Sequence, residues 1–190
     1  MPPRRRPGRI AAPGKNRGSS MLEVLVTLLI LAIGMLGLAS LQGRAHTSEL
    51  ESYQRGQALI LLQDMASKME GNGANAASYV TGAVGTSTTD AADCTTLGTR
   101  AAVDKCDWSK ALKGSSETQG GSTTKQGAMI NGRGCVATTA VTDVYMVSVV
   151  WQGLTATAVP TTTCGTGSYD SEASRRAVTT IVRIPDLSGA

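Results

Sequence analysis

The chain has 190 residues with no Phe, two Trp and four Tyr, enough for one modest domain with a lean core. It carries 18 Lys+Arg against 14 Asp+Glu, a formal charge of +4, but six of the cations (Arg4, Arg5, Arg6, Arg9, Lys15 and Arg17) precede residue 19. The remaining 12 face 14 acids, a charge of −2, so a nucleic-acid role built on overall basicity is excluded; a single His leaves no Ser/His/Asp arrangement for hydrolysis.

Residues 1–18 hold those cations and no acid, and are expected to be disordered before processing. Positive charge ahead of an apolar segment keeps that end in the cytoplasm. The apolar segment follows at once. From Val24 to Leu41 no residue in 18 positions is charged, and Thr27 and Ser40 are the only hydroxyls. A helix of that length is ~27 Å long, about the thickness of a bilayer's hydrocarbon core. Gly34 and Gly37 lie within it, allowing close helix approach or local melting when helices pack. Glu23 stands at its edge, where a carboxylate is costly and such residues are usually functional. A weak secretory cleavage site at Ala39–Gln42 competes with a cut after Gly18, which makes Ser19 the first residue and Glu23 the fifth.

The helix is expected to continue, because no proline occurs between Pro13 and Pro160. Ala58, Leu61, Leu62, Met65 and Met69 fall on one helical face, and Glu49, Glu51, Arg55, Asp64 and Lys68 on another. Gly71 and Gly73 around Asn72 mark a C-terminal stop. The whole helix would run about 50 residues, or ~75 Å. Its first half is apolar all round; its second half is amphipathic and must pack on the rest of the chain.

Residues 74–127 carry few signals. A short helical turn over Thr99–Lys105 is expected, with Trp108 as a core anchor and residues 114–127 as an exposed Gly/Ser/Thr loop. Strands come last, over residues 128–138, 144–151 and 178–184; Tyr145, Val147, Val149 and Trp151 share one face, and Val178, Thr180, Val182 and Ile184 another. The simplest packing is an antiparallel sheet of three or four strands over the amphipathic half of the helix. Leu154 to Ser174 forms a long loop, and the adjacent Arg175 and Arg176 read as a solvated strand end.

Four cysteines, Cys94, Cys106, Cys135 and Cys164, all lie beyond the apolar run. An even number outside the cytoplasm reads as two disulfides with three connectivities, of which Cys94–Cys106 and Cys135–Cys164 are preferred. The rival, a zinc site, lacks a C-x-x-C pair and has only the distant His46 to draw on. The pairs Asp90/Asp93 and Asp104/Asp107 offer a calcium alternative, but scattered loop acids read as solvated. No Walker loop, G-x-S-x-G or G-x-G-x-x-G is present; neither catalysis nor a cofactor or metal is expected.

Gly18 followed by an apolar-opening helix with Glu23 five positions on resembles the type III signal of type IV prepilins. The run Met21–Gln42 is similar to minor pilins of the PilV type, the pilus modification proteins, and so is Ser52–Asn72; a weaker echo extends to Val147–Trp151 and Arg175–Ile184. Two departures are Ser19, where the family commonly has Phe or Met, and the absence of a proline from the span. The resemblance implies cleavage between Gly18 and Ser19 by a prepilin peptidase, with N-methylation of Ser19. It implies an α+β type IV pilin fold: a leader over 1–18, an N-terminal helix over 19–70 with a transmembrane segment at about 22–42, and a periplasmic or extracellular domain over 71–190.

The implied task is that of a minor pilin that primes or modifies pilus assembly in a tip complex, supporting twitching motility, adhesion or DNA uptake. The implied location is the inner membrane, single-pass with a periplasmic domain, and then the pilus fibre. Implied partners are other minor pilins and the major pilin through the helix, and a tip adhesin. No specific nucleic acid is expected. Glu23 would be neutralised by the amino group on Ser19, in its own chain or a neighbour, which rewards one axial register in a fibre; breaking such a buried pair costs ~3–5 kcal/mol. Two rivals remain: a type II secretion pseudopilin with the same fold and processing, and a single-pass membrane-anchored binding domain that keeps residues 1–18.

Overall fold

In the computed structural model, residues 19–114 and 129–185 are described. The chain divides into two compact units, Met1–His46 and Thr47–Ala190. The expected leader over 1–18 and most of the expected loop at 114–127 lie outside the described residues.

Helix α1 runs over Ser19–Gly71, ending at the first glycine of the Gly71-Asn72-Gly73 stop. In the first unit it stands alone. In the second unit its apolar stripe is buried, with Ala58, Met65 and Met69 fully enclosed and Leu62 and Ala66 nearly so. This is the face read from the 3.6-residue period. Asp64 and Lys68 pair one turn apart at 2.8 Å on the solvent side. A 3-10 segment over Gly73–Tyr79 follows. It returns Tyr79 to the helix end, where the phenol accepts from Asn72 Nδ2 and reaches the Lys68 carbonyl at 3.3 Å.

Four strands, β1 (Thr81–Gly85), β2 (Arg133–Thr138), β3 (Val144–Gln152) and β4 (Arg175–Arg183), make one antiparallel sheet in the order β1-β2-β3-β4. Val136 pairs with Val147 and Val147 with Thr180, which places Tyr145, Val147, Val149 and Trp151 on the face that packs with the helix stripe, alongside Val136 and Val182. The three expected strands are present, with β2 starting at Arg133 and β4 starting three residues earlier than the alternation indicated.

The expected helical turn at Thr99–Lys105 is a full helix, α2, over Arg100–Leu112. Thr99 caps it by accepting from the Ala102 N–H at 3.2 Å. Ala101, Trp108 and Leu112 face the same core as α1 and the sheet. Trp108 is fully buried and donates from Nε1 to the Leu61 carbonyl of α1 at 2.9 Å, which makes it the anchor between α2 and α1. It fits only because residue 134 on β2 is glycine: a Cβ there would stand 2.2 Å from the Trp108 ring.

Of the three connectivities, the cysteines adopt Cys94–Cys106 and Cys135–Cys164. The first fastens α2 to the 3-10 turn Cys94–Thr96. The second draws the β3–β4 loop onto the outer face of the sheet. There Cys135, Val150 and Cys164 form a second small cluster with Tyr169, Ala83 and Ala177.

Candidate functional site

Within the first unit the apolar stretch is exposed on every side, from Met21 at 82% to Val26 at 47%. A side-chain set that finds no protein to bury it needs lipid or other helices as its solvent. By length and composition the helix is able to cross a membrane. Between Met21 and Ala39 the polar side chains are Glu23 and Thr27, and the Thr27 hydroxyl donates to the Glu23 carbonyl at 2.7 Å, so its polarity is satisfied inside the helix. A Cβ at Gly34 or Gly37 would meet nothing within 4 Å. Packing within the described residues therefore does not require either glycine.

Glu23 is exposed, beside Val24, Thr27 and Leu28. Ser19 opens α1, and Gly18 lies outside the described residues. Of the three residues, Ser19 and Glu23 thus lie in the first turns of one helix.

In the second unit, the residues that shape the exposed loop differ from those the sequence suggested. Arg175 is not a solvated strand end. It is 2% exposed, its guanidinium turned under the β3–β4 loop, where Nη1 donates to the Thr162 and Cys164 carbonyls at 2.7 and 3.1 Å. Nε donates to Glu172 at 2.7 Å. A hydrogen bond from the Gly167 N–H, then that from Arg175, hold the Glu172 carboxyl below the usual carboxylate range. The neighbouring Tyr169 donates to the Asn131 carbonyl at 3.1 Å, and burial pushes its phenol up to about 12.

Arg176 is likewise engaged. With the start of the same loop it grips Glu51 of α1: Glu51 Oε1 accepts from the Leu154 and Thr155 N–H groups at 3.1 and 3.2 Å, from the Thr155 hydroxyl at 3.0 Å, and from Arg176 Nη2 at 3.3 Å. Burial raises the Glu51 carboxyl, but the Thr155 hydrogen bonds and the Arg176 charge outweigh it and hold the group low. The contact spans 125 residues of sequence, which no spacing rule anticipates.

Of the four acids offered as a calcium alternative, Asp107 is exposed and the other three have other duties. Asp90 accepts from Ser109 at 2.6 Å and from Lys113 at 2.5 Å. Asp104 is buried and accepts from Tyr79 at 2.6 Å and Arg100 at 3.1 Å. Asp93 caps the turn at Thr95. Among the described residues no group of three or more metal-ligating side chains converges.

Residues 13–39 match the family model described as the prokaryotic N-terminal methylation motif. No curated protein and no solved structure matches the chain. The match brackets Gly18, Ser19 and Glu23 and ends inside the apolar run. The motif, the long apolar helix and the small four-stranded antiparallel sheet agree with the type IV pilin fold and support a type IV prepilin-like, membrane-anchored protein. The motif implies processing by a prepilin peptidase and assembly with other pilins. Pilin-like proteins are structural rather than enzymatic.

Proposed function

We propose that the chain is a minor pilin of a type IV pilus, of the PilV type, which primes or modifies pilus assembly in a tip complex. The observation that carries the reading is the methylation motif over residues 13–39, which contains Gly18, Ser19 and Glu23 and runs into an unburied apolar helix. Cleavage removes residues 1–18 and leaves Ser19 as the methylated first residue. The helix over 19–70, with its span at about 22–42, holds the protein in the inner membrane, and residues 71–190 form the periplasmic domain. The helix then passes from lipid into a bundle of like helices. Both surroundings are apolar, so the transfer need not cost much. Other minor pilins, the major pilin and a tip adhesin are its partners, and motility, adhesion or DNA uptake its output.

Glu23 supplies the register. As the fifth mature residue it lies about one helical turn from the new amino group and is neutralised by that group in its own chain or a neighbour. Two measurements test the reading. Intact mass and N-terminal sequencing after co-expression with a prepilin peptidase should give a chain of 172 residues beginning at methylated Ser19; an uncut chain, or a cut near Ala39–Gln42, refutes it. Glu23→Ala should still insert into the membrane but be absent from sheared surface filaments, and wild-type incorporation would remove Glu23 from the mechanism. Absence of the wild-type protein from those filaments, with secretion lost on its deletion, would favour a type II secretion pseudopilin.

A further inference from the structure

The two edges of the sheet are built differently. At one edge, β1 holds Gly82 and Gly85, its register with β2 shifts between Thr81 and Val84, and Gly85 sits at φ 110°. Shortness and a bulge are devices that keep an edge strand from pairing further. At the other edge, β4 pairs with β3 without a shift from Arg175 to Arg183, contains neither Gly nor Pro, and is β-branched at every position from Val178 to Val182. The Gly153 N–H bonds the Ser174 carbonyl at one end of this ladder, and the Ile184 N–H bonds the Asp143 carbonyl at the other. Hydrogen-bonded pairs alternate in an antiparallel ladder. Arg176, Val178, Thr180 and Val182 therefore turn their backbone groups to β3, and Ala177, Thr179, Ile181 and Arg183 turn theirs to the open side. The β3–β4 loop covers that side only as far as Ala173, whose carbonyl accepts from the Thr157 N–H at 2.8 Å. From Ala177 to Arg183 no outward backbone group has a partner among the described residues, and Thr179, Ile181 and Arg183 are exposed.

We infer that the open edge of β4 takes up an extended segment of a partner polypeptide, acidic at both ends and antiparallel to β4, as an added strand. Side chains at the two ends of the edge select the partner. Arg183 is exposed at one end, and Arg55 of α1 shares a cleft with Ala177 at the other; neither makes an ion pair or hydrogen bond among the described residues. Glu51, the acid in that cleft, is already held by Arg176. Asp143, next to the far end, precedes β3 and so lies across β4 from the open side. A segment facing Arg176–Arg183 thus meets a cation at each end and uncharged β-branched residues between them. The fitting sequence has a carboxylate opposite Arg183, a second opposite Arg176, where side chains turn toward α1 and Arg55, and β-branched residues between. In this mode the backbone bonds supply affinity and the side chains specificity. A second copy of this chain offers the same cationic ends and no acid, so it is the poorer occupant. The edge is separate from the apolar run of α1, and its failure would leave the reading of that run untouched.

The alternation along β4 supplies the readout. The full chain, nitrogen-15 labelled in dodecyl maltoside micelles at low salt, is titrated with the acetylated and amidated peptide Glu-Val-Thr-Val-Thr-Val-Thr-Glu, and amide exchange is followed residue by residue. Binding should slow exchange saturably at Ala177, Thr179, Ile181 and Arg183 and leave Val178, Thr180 and Val182, already bonded to β3, unchanged. The same peptide with Lys at both ends should bind at least about fivefold more weakly. Arg183→Glu should reverse that preference while keeping the melting temperature, since position 183 is exposed. Thr179→Pro removes an outward N–H and no bond to β3, and should abolish the slowing. No slowing up to the solubility limit of the peptide overturns the proposal, as does equal binding of the two peptides to wild type and to Arg183→Glu. So does slow exchange at the outward amides before any peptide is added, together with a sedimenting dimer, which would make a second copy the occupant.

Discussion

Replacing Gly134 by alanine tests the packing that joins α2 to the sheet. The added methyl would stand 2.2 Å from the far edge of the Trp108 ring, whereas ordinary contact begins at 3.4 Å, so the ring must move by about 1.2 Å. It has nowhere to go: Trp108 is 0% exposed and tied through Nε1 to the Leu61 carbonyl. Overpacking of this kind costs roughly 1–3 kcal/mol, and loss of the indole hydrogen bond adds about 1 kcal/mol. We expect Gly134→Ala to destabilise the folded domain by about 3 kcal/mol, a large part of what a domain of this size has. Urea unfolding of the full chain in detergent, followed by far-ultraviolet circular dichroism, measures it. Trp108→Leu alone should cost about 3 kcal/mol through the cavity it leaves. The double variant should cost less than the sum by at least about 1 kcal/mol, because the alanine methyl then enters vacated space. A Gly134→Ala protein within about 0.5 kcal/mol of wild type, or strictly additive variants, would refute this account of the core.

Two further predictions concern the β3–β4 loop. Arg175→Met should cost about 2–3 kcal/mol and raise amide exchange at Cys164 and Gly167, since the carbonyls and the Glu172 carboxylate that Arg175 ties together lose their common donor; unchanged exchange there would remove Arg175 as the loop's organiser. Tyr169 sets an alkaline limit. Its phenol is raised from 10.0 to about 12 in the folded chain, so the unfolded state loses this proton first and stability falls as pH rises from about 10 to about 12. After discounting for its partial exposure the loss is about 1 kcal/mol. The difference between wild type and Tyr169→Phe in denaturant unfolding across that range should isolate it, and parallel pH profiles would contradict the assignment.

The long helix was legible because two physical signals do not depend on tertiary context: an uninterrupted apolar run, and a 3.6-residue stripe that places Ala58, Leu62, Met65 and Met69 on one side. Strands β3 and β4 were legible for the same reason, through alternation at Tyr145–Trp151 and Val178–Val182. Strand β1 was not. Thr81–Gly85 contains two glycines and is a strand only because β2 supplies its partners at Val136, Gly134 and Arg133. The full length of α2 was present as Ala101, Trp108 and Leu112 at helical spacing, but masked by Asp104 and Cys106, whose burial depends on Tyr79 and on the disulfide.

Arg175 defeated the sequence reading most clearly. Adjacent arginines at a strand end are ordinarily solvated, and nothing nearby in sequence shows that carbonyls of the Cys164 segment turn inward to meet one of them. The candidate site at Gly18, Ser19 and Glu23 was a different case. It was read from the resemblance of that stretch to the prepilin signal, and Glu23 stands exposed on the helix.

The two cystine bridges also determine how the protein answers mechanical tension. They close segments with sequence separations of 12 and 29 residues, and while oxidised those segments cannot be drawn out. At ~3.4 Å per residue, a chain pulled to full extension stops roughly 130 Å short of its reduced counterpart. The bridges thereby cap how far the domain can be drawn out, and reduction alone would lift that cap.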